Sequence, residues 1–124
     1  MNIVDTRAGQ SGVFVCAADV EIEDLGGGIK RQMLSYGPDI MNCRLWFESG
    51  AAGDIHDHFH SQTSYIESGL FLAHVNGEEW KIGPGDSVYI QPNVPHGVTC
   101  IEAGSLIDSF SPARQDFLGS GETS

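Results

Sequence analysis

Apolar and polar residues alternate along this chain in short runs, most of them closed by glycine or proline. The clearest run is 40–48, IMNCRLWFE. There a two-residue period puts Met41, Cys43, Leu45 and Phe47 on one face and Arg44, Trp46 and Glu48 on the other. Further strands are predicted over 13–15, 29–35, 55–58, 63–68, 70–75, 78–82, 88–90, 98–101 and 105–110. The punctuation between them is equally regular. Gly26, Gly27 and Gly28 break any helix begun at Glu21, Tyr36-Gly37-Pro38-Asp39 and residues 50–54 are turns, and Gly69 permits a sharp bend. Asn76-Gly77 between two alternating runs predicts a hairpin. Gly83-Pro84-Gly85-Asp86 makes another turn, and Pro92-Asn93-Val94-Pro95 is a rigid connection that delivers His96. Pro112 ends the sheet, and 113–118 is expected to form one helical turn. Residues 1–12 read as a loose arm or edge segment and 119–124 as a disordered tail. Many short strands with glycine turns, no repeat and no linker predict an all-β sandwich or barrel in a single domain spanning 1–124.

Length supports that picture, since 124 residues suit one domain whose core needs no disulfides. Charge narrows the partners. A net charge of −11 with only six Lys and Arg argues against nucleic acid and against an anionic membrane surface. A small anionic substrate stays open, because a metal ion and one arginine can reverse the field inside a pocket. No apolar run has the length of a transmembrane helix. The opening MNIVDTRAGQSG has no basic segment followed by an apolar core, so a cytoplasmic location is expected. Cys16, Cys43 and Cys100 are odd in number, widely spaced and set among apolar residues, which reads as small core side chains rather than ligands or nucleophiles.

The candidate chemistry lies in 50–69, GAAGDIHDHFHSQTSYIESG. His56, His58 and His60 stand at alternate positions in a chain with five histidines. On a strand His56 and His58 point the same way, and two imidazoles at that spacing can hold one metal ion. A third ligand from this stretch is Gln62 or His60. The alternative is the polar face of an edge strand.

Two stretches together resemble the cupin family. The first has Gly50, His56, His58, Gln62 and Gly69, with glutamine where the family's first motif has an acid. The second is GDSVYIQPNVPHGV, with Gly85, Asp86 and His96, and with Gln91 where the motif's first proline stands. The resemblance implies a jelly-roll barrel (a double-stranded β-helix) and one divalent metal ion held by His56, His58, Gln62 and His96. It leaves His60 as the odd one out, near the barrel mouth. Nickel, zinc, iron and manganese all suit three imidazoles and an amide. A carboxamide leaves the ion nearly its full charge, which strengthens it as a Lewis acid towards an anion. Alternatively Gln62 only hydrogen-bonds, and the ion has three protein ligands and water. The resemblance also implies a homodimer, with which the N-terminal arm and exposed strand edges would be consistent.

A narrower group is similar in three places: LGGGIKRQMLSYGPDIM, the His-x-His motif with glutamine, and LIDSFSPARQDFL. These are the KdgF-type cupins of pectin and alginate breakdown, which convert 4,5-unsaturated monouronates to linear keto sugar acids. The resemblance implies that Asp108, Phe110 and Arg114 line the active site and that the partner is a small anionic sugar acid. Alternation supports this by putting Leu106, Asp108 and Phe110 on one face. An inward Asp108 would need a partner in the pocket and would be a general acid/base. An outward Asp108, or an Arg114 paired on the surface with Asp116, would carry no such role. Other metal-dependent cupin enzymes, such as dioxygenases or isomerases, and a non-enzymatic sugar-acid or metal-binding cupin remain the alternatives.

Overall fold

The computed structural model describes residues 9–118 and consists of two antiparallel sheets. In chain order the strands are β1 (Ile22–Gly26), β2 (Ile29–Gly37), β3 (Ile40–Phe47), β4 (Ser61–Ile66), β5 (Leu70–Val75), β6 (Glu78–Ile82), β7 (Ser87–Ile90), β8 (His96–Glu102) and β9 (Gly104–Ser111). One sheet runs β1-β2-β3-β9-β4-β7 and the other β6-β5-β8. This is the all-β architecture expected from the alternation, and it is consistent with the jelly roll that the cupin resemblance implies. The residues assigned to a tail, 119–124, and most of those assigned to an arm, 1–8, lie outside the described residues.

Alternation places the core. Met41, Cys43 and Phe47 of β3 are buried as expected, and Phe47 meets Phe71 of the facing sheet edge-on, with ring centroids 5.3 Å apart. Around that contact Ile66, Ala73, Ile82, Cys100 and Leu106 form one apolar cluster. Tyr36, Met41, Cys43, Phe110 and Ala113 form a second. Asn76 and Gly77 both take positive φ, 50° and 84°, as a type I′ hairpin turn requires.

The structure corrects four expectations. Residues 13–15 form no strand; Val13 and Phe14 are exposed, and the backbone of 17–20 is instead tied to β2 by the Gln32 amide, which donates to the carbonyls of Ala17 and Val20. β1 was not foreseen, and glycines 26–28 turn it into β2. Residues 55–58 form no strand either: segment 50–56 follows the free edge of β8 through scattered backbone bonds, Gly50 to Cys100, Gly53 to Val98 and His56 to His96. Cys16 is exposed beside the short 3-10 turn Ala17–Asp19, so only Cys43 and Cys100 are core side chains.

Gly69 and Gly104 fix the crossing from β4 to β5 against the start of β9. A Cβ on Gly69 would come within 2.7 Å of the Gly104 Cα and 2.6 Å of the Glu102 carbonyl. A Cβ on Gly104 would overlap the Ser68 carbonyl. Backbone cannot yield as a flexible side chain does. Gly104→Ala is therefore expected to cost about 3 kcal/mol in urea denaturation, and a loss below about 1 kcal/mol would mean that the crossing opens freely. No helix among the described residues is long and apolar enough to cross a membrane.

Candidate metal centre and its cavity

The three histidines meet because two distant stretches of backbone pair. His56 and His96 exchange both backbone hydrogen bonds, each 2.9 Å, across an isolated antiparallel bridge, and their rings lie 4.5 Å apart. Gly97 allows the loop to lie so close, since a Cβ there would press on Ile55 Cδ1 at 3.0 Å. His58 completes the group, with its ring 4.8 Å from His96 and 5.5 Å from His56. The convergence foreseen for His56 and His58 is present, although a bridge and not a strand produces it.

Each ring is oriented by its own backbone. Nδ1 of His56 meets the Asp54 carbonyl at 2.8 Å, Nδ1 of His58 the His60 carbonyl at 3.1 Å, and Nδ1 of His96 the Val94 carbonyl at 2.8 Å. A carbonyl only accepts, so each Nδ1 carries the proton and each Nε2 presents a lone pair. Burial pushes the His58 and His96 pKa values down, which keeps both rings neutral and able to ligate. His56, His58 and His96 offer ligand atoms all within 4.8 Å of one another.

Two further observations fit a cation here. His96 Nε2 is buried and has no hydrogen-bond partner. His58 Nε2 faces Gln62 Oε1 at 3.0 Å, and with Nδ1 protonated these are two acceptors directed at each other. The Gln62 amide is held in that sense because its Nε2 donates to Ser64 Oγ at 3.1 Å, and Ser64 in turn donates to Asp108 Oδ1 at 2.5 Å. A glutamate at 62 could not donate to Ser64, so the departure from the family's acid gives this chain its direction. The three histidines can hold one metal ion, with the Gln62 oxygen beside them.

Asp108 lies on the inward face of β9, between Leu106 and Phe110, opposite Ser64 of β4. Burial pushes its carboxyl up to about 6, against the lowering effect of the Ser64 hydrogen bond. Phe110 is buried with its ring 5.8 Å from that of His58. Arg114 stands over Phe110 at 5.1 Å and over Phe117 at 4.2 Å, and it grips Asp116 through two bonds of 3.0 and 2.7 Å. It thus pairs with Asp116, as the surface reading required, yet it also lines the cavity. That cavity, about 470 Å³, brings His56, Gln62, His96, Asp108, Phe110 and Arg114 together.

His60, expected near the mouth, is buried, stacked on Phe59 at 4.0 Å, and outside the ligand group. Sequence reasoning missed Ser64, Arg31 and Phe117, although alternation carried a signal for two of them. Ser64 shares a face with Gln62 and Ile66, and Arg31 shares one with Ile29 and Met33.

Comparison with known proteins agrees with this arrangement. The family model described as "Cupin domain" matches residues 45–108. The pectin degradation protein KdgF of Dickeya dadantii (strain 3937) is 42% identical over 98 residues, which are 77% of this chain and 89% of that protein. Among solved structures, an RmlC-like cupin from Shewanella frigidimarina NCIMB 400 is 47% identical with a TM-score of 0.85, covering 87% of this chain and 97% of its own. KdgF from Halomonas sp. is 34% identical with a TM-score of 0.81, covering 86% and 98%. Two sheets of this topology, histidines brought together from both cupin motifs, and relatives this similar over most of their length show that the chain belongs to the cupin family and, within it, resembles the KdgF type.

Proposed function

We propose that this chain is a metal-dependent enzyme of pectin or alginate breakdown that opens 4,5-unsaturated monouronates to linear keto sugar acids. One observation carries the reading. A carboxyl raised to about 6 lines one cavity with Arg114 and Phe110, and it is joined through Ser64 and Gln62 to the histidine group. The similarity to a relative named for pectin degradation supports the choice of substrate.

The chemistry needs few parts. Substrate and product are isomers, so no co-reactant is consumed. The bond between the anomeric carbon and the ring oxygen breaks, its electron pair stays on the oxygen as an enolate, and the anomeric hydroxyl gives up its proton to become an aldehyde. Protonation of the fourth ring carbon then yields the ketone. Asp108 is the proton carrier, with a carboxyl whose pKa lies near working pH. Arg114 holds the substrate carboxylate through the donors that Asp116 leaves free, and Phe110 forms a wall against the sugar. A divalent ion held by His56, His58, His96 and Gln62 would supply Lewis-acid stabilisation of the negative charge that develops on oxygen.

The test is a time course of loss of the conjugated double bond of an unsaturated monouronate. Metal-loaded and chelator-stripped protein are compared with the spontaneous rate subtracted, and oxygen is monitored. Metal-dependent acceleration without oxygen uptake is expected. No acceleration at full metal content would end this reading, and oxygen uptake would point to an oxygenase on the same barrel.

A further inference from the structure

Arg31 is a second cation in the cavity, and the reaction above gives it nothing to do. It stands on the inward face of β2 between Ile29 and Met33 and is 3% exposed. An arginine is almost never so buried unless paired. Its partner is Glu23, with Nε donating to Oε1 at 3.1 Å and Nη2 to Oε2 at 3.4 Å. That fork leaves the rest of its five N–H donors without a hydrogen bond among the described residues.

Arg114 repeats the arrangement. The guanidinium carbon of Arg31 lies 4.0 Å from the Phe117 ring centroid and that of Arg114 4.2 Å from the same centroid, so their separation cannot exceed the sum of the two distances. In each pair the carboxylate is the more exposed partner, 39% against 4% for Glu23 and Arg31, and 43% against 11% for Asp116 and Arg114. The carboxylates therefore lie towards solvent and the guanidiniums inward. A chain of net charge −11 places two of its six Lys and Arg side chains on one phenyl ring inside one cavity. Planar, bidentate donors in that setting suit a carboxylate better than a hydroxyl.

We propose that Arg31 is a further substrate-binding residue, which with Arg114 forms a paired-guanidinium seat for the carboxylate of a sugar acid beside Phe117. This rests on reading the cavity as a sugar-acid site. The seat fixes which end of the sugar faces the histidines and Asp108, and it makes the site select acids over neutral sugars of the same shape.

The experiment is calorimetric titration of the metal-loaded protein with galacturonate, a saturated hexuronate that cannot react, and with its neutral counterpart galactose. The variant is Glu23→Gln/Arg31→Met, which keeps the local net charge and an unbranched apolar chain against Phe117. Wild type is expected to prefer the acid. The double variant is expected to bind galacturonate about tenfold to a hundredfold more weakly with galactose unchanged, and to raise KM for the unsaturated uronate more than it lowers kcat. If the double variant melts early, Arg31→Lys takes its place, keeping the charge but losing the planar fork, and about a tenfold weakening is expected. An acid preference that is undiminished in the folded variant, or is missing from wild type, overturns the proposal. The two readings separate cleanly. Arg31-dependent acid preference without turnover removes the reaction and keeps the seat, whereas turnover with an unaltered KM in the variant removes the seat and keeps the reaction.

Discussion

Asparagine in place of Asp108 is expected to slow turnover of an unsaturated monouronate by about 10²- to 10⁴-fold while the purified protein keeps its full metal content. Asparagine has the shape of the carboxyl and still accepts from Ser64 Oγ–H, so the hydrogen-bonded line to Gln62 persists. What disappears is the proton that the carboxyl can carry. Metal loss together with activity loss would assign Asp108 a structural role instead, by elemental analysis of the same preparation. Stability supplies a second readout with a definite sign. In the metal-free folded chain the carboxyl keeps its proton up to about 6, against 3.8 for the free group. Across that window the folded state binds the extra proton, so stability falls as pH rises through it. At pH 7 the metal-free Asp108→Asn protein should therefore be more stable than wild type by about 2–3 kcal/mol, and the gap should close below the lower of those two values. Urea denaturation at the two pH values measures it. A wild type as stable as the variant at pH 7 would mean that the carboxylate is well solvated and poorly placed to carry a proton.

His96→Ala is expected to lower metal affinity by more than the roughly 10- to 100-fold that follows loss of an outer hydrogen bond at such sites, and to leave only the rate of chelator-stripped wild type. The expectation comes from burial. The His96 ring is 3% exposed, its Nδ1 is occupied by the Val94 carbonyl, and its Nε2 meets no partner. An acceptor removed from water with nothing to accept from is costly, and a cation is what this lone pair can satisfy. The check is the melting temperature with and without added nickel or zinc. Wild type should gain about 3 kcal/mol of stability with metal at a hundred times its dissociation constant, and the variant should gain little. Stoichiometric metal retained by His96→Ala would remove His96 from the ligand set.

Both expectations concern side chains that were visible in the sequence at different depths. The strand pattern was legible because it is local. A two-residue period decides which of Met41, Cys43 and Phe47 turn inward, and Asn76-Gly77 can hardly be anything but a hairpin turn. The same parity already put Asp108 on the face of Leu106 and Phe110. What alternation could not supply was the sign of the face for segments that do not form strands. Residues 55–58 looked like a strand, but they take their shape from β8 through the His56–His96 bridge. Ring convergence there is a property of two chain segments and not of one spacing. His60 shows the same limit, since its spacing matches that of His56 and His58, yet it stacks on Phe59 and stays outside the ligand group, as the cupin resemblance implied.

Most element types, the turn positions and the identity of the groups able to do chemistry could be read from residues and their near neighbours, because propensity, period and ionisation are local; β1 and the segments 13–15 and 55–58 are the exceptions. Which of those groups meet depends on packing between segments far apart in the chain. The Asp108 carboxyl, half-buried on β9, acquired its raised pKa when packing withdrew it from water. Gln62 acquired a direction when Ser64 took its amide hydrogen. Arg31 became part of the cavity when the Gln115–Phe117 turn laid Phe117 against it. Desolvation, hydrogen-bond direction and the sharing of one ring by two cations arise from contacts between segments far apart in the chain, and no local pattern encodes them.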